Sequence, residues 1–243
     1  MKLLFNLFVS LIDFLYKKKI IFFFKNNLTK ELHTIIDVGA HKGETISDFL
    51  YNFKIKNIYS FEASNKTFNN LKIKLKKIKK KFFLTNIEIF NIGVGNTNKK
   101  GIFYELPDSN SSTFNIIDQN SSYFKRKNKI LSFFFLNNKK IINKTDVSQI
   151  KLCEFIKNKK IQNIDILKID TEGYEFEVIK GLEQEIKKIN FIYFEHHYDN
   201  MIKKNYKYSD IHDYLRINGF HKVYKIKMPL RKSFDYIYNR KNV

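Results

Sequence analysis

The sequence predicts an α/β domain of the doubly wound type, with a mostly parallel sheet. Short apolar runs alternate with amphipathic helical stretches from residue 31 onward, which is the pattern of repeated strand–helix units. The first apolar run passes through a glycine-containing turn, residues 37–43, directly into a helical stretch. Four of the runs end in an acidic residue, as expected where strand ends line a ligand-binding crevice.

The elements follow in order along the chain. The runs that predict strands are 34–38, 57–62, 86–94, 101–106, 164–170, 190–195, 220–227 and 234–238. The stretches that predict helices are 44–50, 65–80, 148–158, 174–182 and 209–218. Residues 107–144 are polar and weakly patterned, which predicts either a functional loop or lid, or a compositionally biased insertion. The chain thus divides into an N-terminal helical extension, 1–30, and one domain, 31–243.

The turn between the first strand and its helix can bring the backbone close to a ligand. Gly39 and Gly43 can adopt positive φ and leave room for a bound group. The helix that follows offers free backbone N–H groups to a carboxylate or a phosphate. The spacing differs from the dinucleotide fingerprint G-x-G-x-x-G, because position 41 is His41 rather than glycine. A turn without a ligand and a nucleotide-binding oxidoreductase stay open as alternatives on this stretch alone.

Acidic residues stand at the ends of four predicted strands: Asp37, Glu62, Asp170 and Glu195. Glu62 comes 19 residues after Gly43, where the second strand of a βαβ unit ends, and a carboxylate there can accept both hydroxyls of a ribose. The carboxyl ends of parallel strands meet at one edge of an open sheet, so we expect the four side chains in one crevice. Such an acidic crevice favours a cationic ligand over a pyrophosphate.

At these positions the chain resembles the FkbM-type S-adenosylmethionine-dependent methyltransferases. The matching stretches are 37–43, 61–64, 92–95, 111–113, 167–175 and 178–181. The Leu-Lys-Ile-Asp-x-Glu-Gly block that begins at Leu167 is the most specific of them, and the resemblance covers roughly residues 34–195. Two positions depart from the family pattern: His41 stands where Asn is usual, and Cys153 stands where Asp is frequent.

The resemblance implies a Rossmann-like class I methyltransferase fold, with a seven-stranded sheet whose last strand is reversed. It implies S-adenosylmethionine as the cofactor and methyl transfer to a hydroxyl of a sugar, glycan or glycolipid precursor. The cofactor-binding residues that it carries over are Asp37, Gly39, Ala40, His41, Gly43, Glu62, Ala63, Ser64, Gly93, Val94 and Asp170. The glycine turn would hold the methionine part, Glu62 the ribose, and Gly93 and Val94 the adenine, with Asp170 near the methionine amine or the acceptor.

Catalysis of this kind depends mainly on holding two partners in line, because the methyl carbon is already activated by the sulfonium. A sugar hydroxyl is a weak nucleophile, so a base beside it would assist. The candidate bases are Asp170, Glu172, Glu195 and His196, with His197 next to them. Glu172 could instead interact with the helix that follows it. No metal ion is expected to be obligatory. A divalent ion held by Asp170, Glu172 and Glu195 stays open as an alternative, because oxygen ligands suit Mg²⁺.

The net charge of +21 would by itself suggest nucleic acid or an anionic membrane as a partner. All but four of the 45 basic residues are lysines, however, whereas phosphate-binding proteins tend to use arginine for its bidentate geometry. The chain also lacks the Asn-Pro-Pro-Tyr or Asp-Pro-Pro-Tyr block typical of methyl transfer to a base nitrogen. We therefore expect a small-molecule or glycan acceptor and no nucleic acid. An RNA-modifying methyltransferase is the alternative.

Residues 1–24 are expected to make a peripheral contact with a membrane. Residues 3–16 are apolar apart from a narrow polar stripe of Asn6, Ser10 and Asp13, and three lysines follow. This run is too short to span a bilayer, and no signal-peptide cleavage site is present. The alternative is that the helix packs on the domain or on a second copy in a homodimer. The single cysteine fits a reducing compartment, so we expect a cytoplasmic protein at the inner face of the membrane.

Overall fold

A seven-stranded sheet runs through the centre of the molecule, with helices packed on both of its faces. This computed structural model describes residues 2–106, 111–135, 142–229 and 231–240. The strands are β1 Glu31–Val38, β2 Lys54–Phe61, β3 Asn86–Phe90, β4 Gly93–Gly95, β5 Lys100–Glu105, β6 Asn143–Lys151, β7 Ile164–Ile169, β8 Ile189–His197, β9 Phe220–Lys227 and β10 Ser233–Arg240. The helices are α1 Lys2–Asn27, α2 Glu44–Leu50, α3 Asn65–Lys81, α4 Ser122–Phe135, α5 Leu152–Asn158, α6 Glu175–Lys180 and α7 Tyr208–Ile217, and a 3-10 helix lies at Glu183–Lys188.

The strand order in the large sheet is β3-β2-β1-β7-β8-β10-β9. The first five of these strands pair in parallel, and β10 runs antiparallel to both β8 and β9. The predicted doubly wound sheet with a reversed last strand is therefore confirmed. Strand order changes direction between β1 and β7, and ligands of open α/β sheets bind at the carboxyl ends of the strands at such a point.

The run 86–94, predicted as one strand, is two. The chain leaves the large sheet after Phe90, and β4 pairs with β6 in a separate three-stranded sheet of order β4-β6-β5. The side-chain amide of Asn91 donates to the backbone carbonyl of Glu62 at 2.9 Å, where the chain turns away. Asn91 thus interrupts an apolar run that would otherwise continue as a strand.

The predicted helix over 148–158 is wrong in its first part. Residues up to Lys151 belong to β6, which pairs in parallel with β4 and antiparallel with β5. Helix α5 begins only at Leu152. Pairing with strands distant in sequence overrides the local helical pattern there.

The segment 107–144 contains regular structure that its sequence did not predict. It carries α4, and isolated bridges join Tyr104 to Thr113 and Ile117 to Ile202. A separate apolar cluster forms around it, made of Leu106, Ile117, Phe124, Met201 and Ile202. Two members of the cluster lie far along the chain, so no local pattern indicates it. Residues 107–110 and 136–141 of this segment lie outside the described part.

Successive side chains of each strand point to opposite faces of the sheet, and a layer of helices covers each face. Helices α1, α2 and α3 pack on one face and bury Phe24, Phe49 and Leu71, among others. Helices α5, α6 and α7 pack on the other face, where Val178 and Leu215 are buried. The central strands are therefore apolar on both sides, as parallel strands in α/β proteins are.

Helix α1 is apolar on two opposite sides. Tyr16, Ile20 and Phe24 face the sheet and are at most 6% exposed. Phe14 and Phe22, on the outer side, are 53% and 66% exposed. The half of the helix that begins near Tyr16 thus packs on the domain, one of the alternatives that the sequence left open. Of the helices in the described residues, none is long and apolar enough to cross a membrane.

Asp165 joins the beginnings of the two central strands through its side chain. Its buried Oδ2 accepts the backbone N–H groups of His33 at 2.6 Å and Thr34 at 2.9 Å. We expect Asp165→Ala to lower the free energy of unfolding by about 3 kcal/mol, because two backbone donors lose a charged acceptor. Urea unfolding measures the change. Asp146→Ala, at an exposed position, is the control and should change the free energy of unfolding by less than about 0.5 kcal/mol. Equal midpoints for the two variants would contradict this role of Asp165.

Candidate active site

A cavity of about 310 Å³ opens at the carboxyl ends of the central strands. Most of the sequence-predicted site residues line it, namely Gly39, Ala40, His41, Glu62, Ala63, Gly93, Val94, Asp170, Glu172 and Glu195. Ser112 and Phe114 of the insert also contribute to its wall. Four predicted residues lie outside the lining: Asp37, Gly43, Ser64 and His196.

The backbone of the glycine turn closely approaches the neighbouring strand end. Gly39 has a φ of +82°, and a Cβ there would lie 1.9 Å from the carbonyl oxygen of Asp170, so no side chain fits. The N–H groups of Gly39 and Ala40 donate to the carbonyl of Phe61 at 2.9 and 3.0 Å. Gly43, also at positive φ, supports the site indirectly by turning the chain into α2.

Both oxygens of the Glu62 carboxylate accept hydrogen bonds from the backbone. The N–H of His41 donates to Oε2 at 2.8 Å, and the N–H of Ser64 donates to Oε1 at 2.9 Å. Burial raises the pKa of Glu62, and these two N–H groups oppose that rise. Ser64 also caps α3, since its hydroxyl accepts the N–H of Thr67 at 3.3 Å. The carboxylate is thereby held in the cavity wall, with lone pairs left for a diol.

Lys168, at the end of β7, is buried between two carboxylates. Its Nζ lies 3.5 Å from Asp37 Oδ1 and 3.2 Å from Asp170 Oδ2, and it donates to the carbonyl of Gly39 at 3.4 Å. Burial alone would lower the pKa of Lys168, but the two carboxylates raise it above its usual value. Burial raises the pKa of Asp37, whereas Lys168 lowers the pKa of Asp170 against the effect of burial. Lys168 had no predicted role, although its place two residues before Asp170 puts both on one side of the strand.

A second charged group lies at the ends of β7 and β8. His197 Nε2 lies 3.1 Å from Glu172 Oε2 and 3.2 Å from Glu195 Oε1, and its Nδ1 lies 3.5 Å from Asp199. Burial alone would lower the pKa of His197, but these carboxylates raise it well above its usual value, so the imidazole is cationic. Burial raises the pKa of Glu195 to about 8. Glu172 has a φ of +51°, an uncommon conformation that recurs at functional sites.

His196 points to the other face of the sheet, as alternation along β8 requires. Its ring centre lies 4.8 Å from that of Tyr198 and 5.9 Å from that of Tyr206, and burial lowers the pKa of His196 to about 3. The structure therefore places His197, and not His196, beside the two glutamates. Across the described ranges of the chain, no group of three or more His, Cys, Asp or Glu side chains is arranged to hold a metal ion.

Segments near the two ends of the chain also contribute to the cavity wall. Asp13 and Tyr16 come from α1, while Arg231 and Asp235 come from the start of β10 and the turn before it. The hydroxyl of Tyr193 on β8 donates to Asp235 at 2.7 Å, and burial raises the pKa of Asp235 to about 6. None of these side chains was predicted to belong to the site, because the segments that carry them contain no motif.

The cavity as a whole is acidic. The acids in its wall are Asp13, Glu44, Glu62, Asp170, Glu172, Glu195 and Asp235, and the lysines and arginine are Lys17, Lys168 and Arg231. The protein nevertheless carries a net charge of +21, so its positive charge lies mostly elsewhere. Such a wall suits a ligand with a diol and a positive charge and disfavours a phosphate.

The sequence matches the family model of the methyltransferase FkbM domain over residues 37–222. No curated protein matches the chain. Among solved structures, the methyltransferase FkbM from Methylobacillus flagellatus KT is similar, with a TM-score of 0.57 and 14% identity over 88% of this chain. This chain covers 46% of that one, so it spans about half of that protein's length.

A second similar structure is the magnesium protoporphyrin IX methyltransferase from Synechocystis PCC 6803 with bound S-adenosylmethionine. Its TM-score is 0.54 and its identity 9%, over 96% of this chain and 82% of that one. At such low identities the two likenesses show a shared fold.

Glu195 is expected to make stability depend on pH. Its pKa is about 8 when folded, against an ordinary 4.5, so its contribution to stability is fully present below the lower value and is lost as pH rises through the higher one. The side chain in Glu195→Gln cannot ionise. Relative to the wild type, the free energy of unfolding of this variant should therefore rise by about 3 kcal/mol between about pH 6 and pH 9. Urea unfolding at both pH values measures this gain.

Glu31→Gln is the matched control for this measurement, because Glu31 is exposed. The free energy of unfolding of Glu31→Gln should change with pH as that of the wild type does. If the free energy of unfolding of Glu195→Gln also follows the wild type, the pKa of Glu195 is not raised.

Proposed function

The chain belongs to the methyltransferase FkbM domain family, and on this premise we propose that it transfers a methyl group from S-adenosylmethionine to a hydroxyl of a sugar, glycan or glycolipid precursor. The proposal is supported by three features that lie together in one cavity. A glycine turn approaches the strand ends, Glu62 is held by two backbone donors, and Asp170 stands beside them.

The cavity residues fit the cofactor group by group. Glu62 would accept the two ribose hydroxyls, and Gly93 and Val94 would lie along the adenine. The backbone around Gly39 would hold the methionine part, and Asp170, kept ionised by the lysine beside it, would attract the methionine ammonium group. When bound, the cofactor supplies a methyl carbon that its positive sulfur has already activated.

The acceptor is proposed to lie against the part of the cavity wall formed by Asp13, Tyr16, Arg231 and Asp235. These side chains offer carboxylate, phenol and guanidinium groups, which together both accept and donate hydrogen bonds, as the hydroxyls of a sugar require. An RNA acceptor would bring phosphates to an acidic wall, which is unfavourable. The charge of the cavity therefore supports a hydroxyl-rich acceptor without phosphate at the reacting end.

The proton of the acceptor hydroxyl is proposed to pass to one of the carboxylates at the ends of β7 and β8. Asp170, Glu172 and Glu195 all line the cavity. The cationic His197 lies 3.1 Å from Glu172 and 3.2 Å from Glu195 and is not part of the cavity lining, so it positions the two side chains from outside the cavity. A well-placed base of this kind contributes on the order of 10²–10⁴ in rate.

We also propose that residues 1–24 attach the enzyme to the cytoplasmic face of a membrane. In the described part of α1, Leu11, Phe14 and Phe22 are each more than half exposed on the outer side. Lys18 and Lys19 are exposed beside them. Apolar insertion and attraction to anionic lipid act together in such helices, each lysine adding about 1 kcal/mol. High salt is expected to weaken the attachment.

Calorimetry should detect binding of S-adenosylmethionine and of S-adenosylhomocysteine, its demethylated product, and no binding of NAD. Glu62→Ala should weaken binding by about 1.5–3 kcal/mol, because a charged acceptor of two hydroxyls is lost. Glu88→Ala, on β3 and outside the cavity, is the control and should bind like the wild type. Tight binding of NAD, with no response to the demethylated product, would favour a nucleotide-binding oxidoreductase instead.

Asp170→Asn should abolish methyl transfer while the protein stays folded, since the neutral amide cannot replace the carboxylate. Turnover is measured as transfer of a labelled methyl group to separated neutral glycans, lipids and RNA, and folding is measured by thermal unfolding. Asp213→Asn, at an exposed position of α7, is the control. Near-normal turnover of Asp170→Asn would remove Asp170 from the mechanism, and label found only in RNA would overturn the proposed acceptor.

A further inference from the structure

Exposed apolar side chains are concentrated on one layer of the molecule. Thirteen large apolar side chains are exposed among the described residues, and eight of them belong to α1, α2, α3 and the turns that end α2 and α3. Outside α1, these are Tyr51, Ile73, Phe83 and Leu84. The layer of α5, α6 and α7 on the other face of the sheet carries a single one, Ile217.

Helix α3 gives this layer a strong positive charge. Eight of its 17 residues are lysines and none is acidic. Leu71, Leu75 and Ile78 are buried against the sheet, which turns the lysines to the outer side, where all but Lys74 are exposed. The same layer carries the exposed lysines 18 and 19 of α1.

The turn after α3 forms an apolar tip beside these lysines. Phe83 is 78% exposed and Leu84 is 85% exposed. The ring of Phe82 meets that of Tyr51 edge to face at 5.2 Å, and Lys81 Nζ lies 4.3 Å from the centre of the Tyr51 ring. Adjacent bulky apolar side chains bordered by lysines are what an interfacial membrane contact requires, because the apolar groups leave water while the cations meet lipid headgroups.

We propose that α3 and the turn 82–84 form a second contact with an anionic phospholipid bilayer, in addition to that of α1. Both helices lie in the layer on one face of the sheet, so both can touch one plane. The lysine charge alone would also attract RNA, but RNA would leave Phe83 and Leu84 in water, and the bilayer accounts for both features. This membrane contact is a property separate from methyl transfer, and its test does not depend on methyl-transfer activity.

The absence of tryptophan from the chain allows a direct test. Phe83→Trp places a single tryptophan at the tip, where Phe83 is 78% exposed, and Ile217→Trp places one on the other face of the sheet, where Ile217 is 85% exposed. We expect vesicles of phosphatidylglycerol and phosphatidylcholine to shift the emission of Phe83→Trp to the blue, and to leave that of Ile217→Trp unchanged. Vesicles of phosphatidylcholine alone should give a much smaller shift, because the lysines then lack a partner.

Sedimentation with the same vesicles measures the contribution of the tip. The double variant Phe83→Ser with Leu84→Ser should bind about tenfold more weakly than the wild type, and Ile217→Ser should bind as strongly as the wild type. Circular dichroism and thermal unfolding confirm that the variants fold.

Three results would overturn the proposal. The first is a double variant that sediments like the wild type, which would confine the contact to α1. The second is stronger binding to a poly(U) RNA than to vesicles, unchanged in the double variant, which would make this layer a nucleic-acid surface. The third is a dimer in size-exclusion chromatography that the double variant loses, which would show that a second copy covers the tip.

Discussion

Lys168 is a cation buried at the carboxyl end of β7, and its ammonium group contacts groups from both central strands. It lies within 3.5 Å of Asp37 and Asp170 and donates to the carbonyl of Gly39. Removing one member of such a group leaves an uncompensated buried charge, which typically costs about 3–5 kcal/mol. The ammonium group of Lys168 thus keeps Asp170 ionised and connects it to the backbone of the glycine turn.

Charge is divided between the inside and the outside of the molecule. The cavity wall is rich in acidic side chains, and His197 contacts two of them, Glu172 and Glu195. The lysines are concentrated on the outer surface, most densely on α3. A chain with a net charge of +21 can therefore offer a cationic cofactor an attractive pocket and a polyanionic surface an attractive exterior.

The sequence by itself determined the succession of central strands and helices along the chain, and it predicted the candidate residues around the glycine turn that line the cavity. Such features have local signatures: a buried parallel strand is a continuous apolar run, and the turn after it needs glycine at Gly39, where a Cβ would meet backbone. The position of Glu62 at the end of the second strand was predicted from the length of one strand–helix unit. The reversed last strand came from the family resemblance rather than from any local pattern.

Only the tertiary structure decided the rest of the site, because it depends on contacts between residues far apart in the chain. Alternation places Glu195 and His197 on one side of β8 and His196 on the other, but packing of the two helical layers decides which side meets the cavity. The segment 143–151 became a strand because β4 and β5 pair with it. Tyr16 and Arg231 come from opposite ends of the chain and meet in one wall. No local pattern encodes such a meeting, since it requires the sheet to form first and the terminal segments to pack against it.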